Sequence, residues 1–136
     1  MRPPEEVKRD LVRQWLARAD DDLDAAKFLF APGKSFFAAI CFHCQQAAEK
    51  YLKALLTWHQ IEFPKTHDLE LLLSLIASTD SALASSLTEV ALLNPYGVEI
   101  RYPGDVPETT GKDAEEAMRL ADKVQEAIFL ALKDKA

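Results

Sequence analysis

SFFAAICFHCQQAAEKYLKALLTWH, residues 35–59, is the stretch that decides the fold. Its apolar side chains recur at the three- and four-residue spacing of one helix face. The main stripe is Phe37, Cys41, Cys44, Ala48, Tyr51, Leu55 and Trp58. Ile40, Ala47 and Ala54 widen this stripe on one flank, and Leu52 and Leu56 widen it on the other. A helix that is apolar over so wide an arc is central to a bundle or lies at a dimer interface. The arc is wider than a lone bundle of this size is expected to cover, so we expect a homodimer in which a second copy covers part of it.

A narrow polar stripe runs along the same predicted helix, opposite the apolar one. It consists of His43, Gln46, Lys50 and Lys53, at spacings of three, four and three residues. Two interpretations remain open. The stripe is either the solvated strip of a buried helix, or a polar wall that holds a phosphate and reads a base or ribose edge.

Four further segments have helical patterns: Glu5–Phe30, Asp68–Ala77, Asp80–Leu93 and Lys112–Lys133. Ala31-Pro32-Gly33 ends the first of these segments, and Asn94-Pro95 is expected to stop the third. Thr110 and Asp113 resemble a capping pair for the last helix. The sequence therefore predicts a single all-α domain over residues 1–136, an up-and-down helical bundle of about five helices.

The connection before the last helix, Pro95–Gly111, has no helical period. It holds three of the seven prolines and three of the four glycines. Loops of this length inside a domain are commonly functional or disordered. Arg101 and Tyr102 are its candidate ligand contacts, because Arg binds phosphate in a bidentate manner and Tyr offers a stacking face. The alternative is that Arg101 pairs with an acid and Tyr102 plugs the bundle.

Composition and net charge indicate an ordinary globular protein and argue against one class of nucleic-acid binder. Hydrophobic residues make up 49% and charged residues 28%, as in ordinary globular proteins, and the net charge is −6. The chain therefore lacks the overall positive field of a non-specific DNA binder. No signal peptide or membrane-spanning stretch is expected, and we expect a cytoplasmic protein.

Two short motifs favour structural roles. Cys41 and Cys44 have CxxC spacing, but both fall on the apolar stripe, so we expect buried, inert thiols. His67-Asp68 suggests a metal-dependent phosphohydrolase only if further ligands surround it, and none is evident. The simpler interpretation is that Asp68 starts a helix and His67 contacts a neighbouring element. We assign no catalytic residue, metal or cofactor, and we keep His67 as a candidate ligand contact.

The chain resembles the HEPN domain family (higher eukaryotes and prokaryotes nucleotide-binding). The resemblance rests on the helix from Trp15 to Leu29, on FAAICFHCQQAAEKYLKALL at residues 37–56, on Thr66-His67-Asp68-Leu69 and on Arg101-Tyr102-Pro103. It implies an all-α, usually homodimeric bundle that binds nucleotide or RNA. It also implies a small nucleotidyltransferase partner encoded nearby, as in a toxin–antitoxin pair.

The ribonuclease branch of that family has an Arg followed within four to six residues by a His, and this sequence has no such pair. The resemblance therefore implies binding without catalysis. Two alternatives remain: a divergent ribonuclease that uses His67 or His43 with Arg101, and a purely structural interaction domain that docks on a partner protein.

Overall fold

The computed structural model describes residues 4–97 and 108–135, and within these ranges every regular element is helical. The elements are α1 (Pro4–Leu29), α2 (Phe37–Trp58), α3 (Leu69–Ala77), α4 (Ser81–Ser86), a 3-10 helix (Thr88–Tyr96) and α5 (Gly111–Ala131). The predicted all-α bundle is confirmed. Arg101 and Tyr102 lie outside the described residues.

Helix α2 is the centre of the bundle. It packs against α1, α5, α3 and the 3-10 helix, and its apolar stripe is buried over most of its length. The wide apolar arc is thus covered within one chain. It does not by itself require a second copy, and dimerisation stays a prediction.

Local sequence signals explain where the helices begin and end. Asp68 caps α3 by accepting hydrogen bonds from Glu70 and Leu71, as expected from its sequence position. Thr110 and Asp113 form the predicted capping box of α5. After α2, Gln60 adopts a left-handed conformation with φ 57°, and the N–H of Ile61 bonds back to the carbonyl of Leu56. This reversal turns the chain back along α2, toward His67.

The prediction of one α-helix over Asp80–Leu93 is wrong, and so is its stop at Asn94-Pro95. Helix α4 ends at Ser86, where hydroxyl groups bond to backbone carbonyls (Ser86 to Leu83, Thr88 to Ser85). The chain then continues as a 3-10 helix to Tyr96, with Pro95 inside it. Leu87, Val90 and Leu93 are buried at intervals of three, the period of a 3-10 helix.

No helix in residues 4–97 or 108–135 combines the length and apolarity needed to cross a bilayer. Cys41 and Cys44 are fully buried free thiols, as predicted. Burial raises the pKa of Cys41 to about 11 and the pKa of Cys44 to about 12. Neither thiol is therefore positioned to act as a nucleophile.

Candidate functional site

The candidate site is the polar side of α2 with the groups that face it from two neighbouring segments. We call this set the α2 polar face. Its members are His43, Gln45, Gln46, Glu49, Lys50 and Lys53 on α2, Asp22 on α1, and His67 in the α2–α3 connection. The α2 members recur at helical spacing, so they share one side of the helix.

Asp22, on α1, contacts two members of the α2 polar face. One of its carboxylate oxygens is 2.9 Å from His43 Nδ1, and the other accepts a hydrogen bond from Lys50 Nζ. All three side chains are only partly buried. The carboxylate of Asp22 therefore holds the His43 imidazole and the Lys50 amine close together near the protein surface.

Glu49 forms the floor of the face, with a side chain that is only 4% exposed. Lys53 Nζ donates to it at 3.0 Å, and His67 Nδ1 lies 2.6 Å from its other oxygen. The Lys53 amine also lies 5.5 Å from the ring centroid of Trp15 and 5.7 Å from that of Phe63. At 8% exposure, Lys53 has the least access to a ligand among the five candidates that the structure describes.

Two amides extend the group around Glu49. Gln46 Nε2 donates to Gln45 Oε1 at 2.7 Å, and Gln45 Nε2 donates to the backbone carbonyl of His67 at 3.0 Å. Gln45 is buried, whereas Gln46 is half-exposed. Gln45 thus fixes the backbone at His67, and Gln46 is the amide on the accessible side.

Both imidazoles have the same arrangement: Nδ1 faces a carboxylate. That contact favours the tautomer with a proton on Nδ1 and directs Nε2 away from the carboxylate. Neither Nε2 has a hydrogen-bond partner among the residues that the structure describes. The His67 side chain is 45% exposed, so its Nε2 is open to solvent. Each ring can therefore offer Nε2 to a bound molecule, as an acceptor when neutral and as a donor when protonated.

The described chain on either side of residues 98–107 is anchored on α2. A Cβ at Gly97 would lie 3.5 Å from Gln45 Cδ, and a Cβ at Gly111 would lie 3.4 Å from the ring of Phe37. Both contacts are on the N-terminal half of α2, which also carries His43 and Gln46. Gly97 thus lies beside the α2 polar face at Gln45, whereas Gly111 lies at Phe37, on the apolar stripe at the start of α2.

A second polar cluster joins α1 to α2 on the other side. Tyr51 donates its hydroxyl proton to Asp20, and Gln125 on α5 donates to the Tyr51 oxygen at 2.9 Å. The Tyr51 ring also meets the ring of Phe129 edge-to-face, with centroids 5.8 Å apart. Burial and the Asp20 hydrogen bond raise the pKa of Tyr51, so it stays protonated as a donor.

A groove of about 400 Å³ lies elsewhere, between α3, α4 and the 3-10 helix. Its lining is mostly small side chains: Ser74, Ala77, Ser81, Ala84, Ser85, Thr88 and Ala91, with Leu73 and Glu70. None of these lining residues is a cation or an imidazole that could hold a phosphate. Across the described ranges, no three His, Cys, Asp or Glu side chains gather as a metal site.

The structure places the five predicted site residues that it describes in two groups along α2. His43 and Lys50 contact Asp22, whereas Lys53 and His67 contact Glu49, and Gln46 joins the second group through Gln45. Sequence reasoning missed their partners, Asp22, Gln45 and Glu49. Glu49 had a usable signal, because it precedes Lys53 by four residues, the favourable spacing for an ion pair on a helix. Asp22 had none, since it is one of four aspartates between positions 20 and 24.

Comparison with known proteins gives consistent matches. The sequence profile named HEPN domain matches residues 12–133. The crystal structure of ST0689, an archaeal HEPN homologue, is similar with a TM-score of 0.72 and 27% identity, over 90% of this chain and 98% of that one. The crystal structure of TT1696 from Thermus thermophilus is similar with a TM-score of 0.68 and 32% identity, over 86% and 94%. A search of the curated proteins finds no match.

Proposed function

This chain belongs to the HEPN domain family, and from that premise we propose that it is a nucleotide- or RNA-binding module whose ligand phosphate binds at the α2 polar face. The observation that carries the proposal is that Lys50 and His43 share one carboxylate, Asp22, on the partly exposed side of α2, while a second imidazole, His67, is held by Glu49 on the same helix. Ammonium, imidazole and amide groups are suitable donors to phosphate oxygens.

Charge on the face explains how an acidic protein can hold an anion there. The carboxylates of Asp22 and Glu49 oppose the amines of Lys50 and Lys53. Any proton taken up by an imidazole then makes the face positive. A phosphate that competes with Asp22 for Lys50 and His43 replaces one anionic acceptor by another, so the amine remains paired throughout.

Calorimetric titration tests this proposal. We expect wild-type protein to bind ATP, GTP or a short single-stranded RNA. Lys50→Gln should weaken that binding roughly tenfold, because a charge-assisted hydrogen bond is lost. Arg101→Ala tests the loop arginine that the sequence predicts as a second contact. Lys133→Gln removes an exposed lysine at the end of α5 and is the matched control. Absence of binding to every one of these ligands would refute the proposal.

RNA cleavage is a second candidate function, favoured by the carboxylate–imidazole pairs. A carboxylate on Nδ1 orients an imidazole for proton transfer at Nε2, the arrangement of a general base or acid. His67, held by Glu49 and open to solvent, is the stronger candidate. Degradation of total RNA by wild-type protein, lost in His67→Ala and His43→Ala, would support catalysis. Activity that survives both changes would exclude this role for the two histidines.

Association with other chains is a separate part of the proposal. The family resemblance supports a homodimer and a nucleotidyltransferase partner. A stable complex whose affinity is unaffected by Lys50→Gln and Arg101→Ala would indicate a purely structural docking domain instead. Sedimentation of a monomer at micromolar concentration would contradict the homodimer.

A further inference from the structure

Phe42 is an aromatic side chain next to the α2 polar face that the nucleotide-binding proposal does not use. It precedes Gln45 and Gln46 by three and four residues, which puts it one helical turn before them on the same side of α2. Its neighbour Cys41 is fully buried, but Phe42 is 38% exposed. The ring therefore lies at the surface at the N-terminal end of the face.

The ring of Phe42 is also positioned by the site. It meets the imidazole of His43 edge-to-face, with centroids 5.5 Å apart and an interplanar angle of 72°. His43 is in turn held by Asp22. An edge contact of this kind is a favoured aromatic arrangement and leaves the rest of the ring available. Phe42 is thus a partly exposed aromatic side chain beside His43, a candidate ligand contact.

The spacing along α2 matches a ligand with an aromatic part at one end and phosphates at the other. Lys50 follows Phe42 by eight residues, which is a rise of about 12 Å between their backbone positions at 1.5 Å per residue. Gln46, which is partly buried, lies between them in the sequence. A nucleotide has its base and its outer phosphates separated by a distance of this order.

We propose that Phe42 is the base-stacking residue of this protein, and that the ligand is a nucleotide whose unpaired base lies on the Phe42 ring while its outer phosphates lie at Lys50. The inference rests on the proposed function and adds the residue that contacts the base, so that the site distinguishes a nucleotide from a bare polyphosphate. Stacking is tolerant of base identity because every base has a π-face, so we expect little discrimination between ATP and GTP.

The experiment compares ATP with inorganic tripolyphosphate, which has the phosphates without the base. Both are titrated calorimetrically into wild type, Phe42→Ala, Phe42→Leu and Phe42→Trp. Phe42→Leu keeps an apolar side chain and removes the π-face, and Phe42→Trp restores a larger one. Phe28→Ala is the matched control, because it removes a ring that is 85% exposed on α1. Circular dichroism checks that each variant is folded.

We expect Phe42→Ala and Phe42→Leu to weaken ATP binding about tenfold or more, Phe42→Trp to preserve it, and tripolyphosphate binding to stay unchanged in all three. Loss of ATP and tripolyphosphate binding together would overturn the inference, since the ring would then act through the fold. Unchanged ATP binding in Phe42→Leu would also overturn it, while tripolyphosphate binding that depends on Lys50 would leave the proposed function standing. Binding of neither ATP nor tripolyphosphate by wild type would refute this inference, and the absence of GTP and RNA binding as well would refute the proposed function.

Discussion

Two aspartates on α1, Asp20 and Asp22, bind neighbouring residues of α2 with opposite consequences. Asp20 accepts a hydrogen bond from Tyr51, and α5 closes over this pair through Gln125. Asp22 accepts one from Lys50, and nothing in the described chain closes over that pair in the same way. Two residues apart on one helix, the aspartates reach the two flanks of α2.

The difference between the clusters lies in how much hydrogen-bonding capacity each retains. In the Asp20 cluster, the hydroxyl of Tyr51 both donates and accepts within the protein. In the Asp22 cluster, the Lys50 amine has three donor hydrogens and the His43 ring has a second nitrogen. The closed cluster stabilises the contact among three helices, whereas the open one can exchange protein partners for a ligand.

The largest expected effect is a loss of stability at Glu49, the buried carboxylate of the α2 polar face. Glu49→Leu should reduce the free energy of unfolding by about 3 kcal/mol, because it leaves the buried Lys53 amine without its carboxylate. Urea denaturation measures this loss. The double variant Glu49→Leu/Lys53→Met should recover much of it, since the unpaired charge is then removed as well. A loss below about 1 kcal/mol for Glu49→Leu would contradict the view that Glu49 stabilises the fold by pairing with Lys53.

The next effect tests the closed cluster. Tyr51→Phe should cost about 2 kcal/mol of unfolding free energy, since Asp20 loses a donor while the ring contact with Phe129 is kept. The affinity for ATP should not change. The neighbouring variant Lys50→Gln should show the reverse pattern. If Tyr51→Phe weakened ATP binding as much as Lys50→Gln does, the two clusters would not have the separate roles argued above.

A smaller effect on stability, with a gain in affinity, is expected at the rim. Asp22→Asn removes the carboxylate that competes with a phosphate for Lys50 and His43. Loss of the partly buried ion pair with Lys50 should lower the free energy of unfolding by about 1 kcal/mol or less. ATP should bind about tenfold more tightly. Asp21→Asn changes the net charge equally at an exposed position and controls for long-range attraction. Equal gains in both variants would mean that Asp22 has no specific competing role.

The smallest effect concerns an exposed cluster between the 3-10 helix and α5. Hydrogen bonds from Arg119 and Lys123 lower the pKa of Glu89 from 4.5 to about 2. A lowered pKa stabilises the folded state above the unfolded value, and this contribution disappears as the pH falls from about 4.5 toward 2. Glu89→Gln should therefore be slightly less stable than wild type at pH 7, and the difference should shrink as the pH falls from 4.5 through 2. A difference at pH 2 as large as that at pH 7 would contradict this electrostatic origin.

Much of the fold follows from local patterns. The apolar spacing on α2, the Asp68 cap and the Thr110–Asp113 box each depend on residues within a few positions of one another. The helix prediction failed where two periods compete, at Ser86 and Leu87. The intervals from Leu87 to Val90 and from Val90 to Leu93 are compatible with both an α-helix and a 3-10 helix, and hydroxyl groups at Ser86 and Thr88 favour a break.

The candidate site could be predicted only in part, for a similar reason. His43, Gln46, Lys50 and Lys53 were recognised because they lie on one helix. Which aspartate of α1 reaches them depends on how α1 packs against α2, and which histidine reaches Glu49 depends on the turn at Gln60. Such pairings over long sequence separations are set by tertiary packing, which a single sequence does not specify.

The most direct test of the central claim is a two-dimensional ¹H–¹⁵N NMR titration with ATP that follows the side-chain amides of Gln46 and Gln125 in one spectrum. The first amide lies on the open α2 polar face and the second belongs to the closed cluster around Tyr51. The account predicts that the Gln46 resonances shift with ATP concentration and that the Gln125 resonances do not. Shifts confined to Gln125, or equal shifts at both, would contradict it.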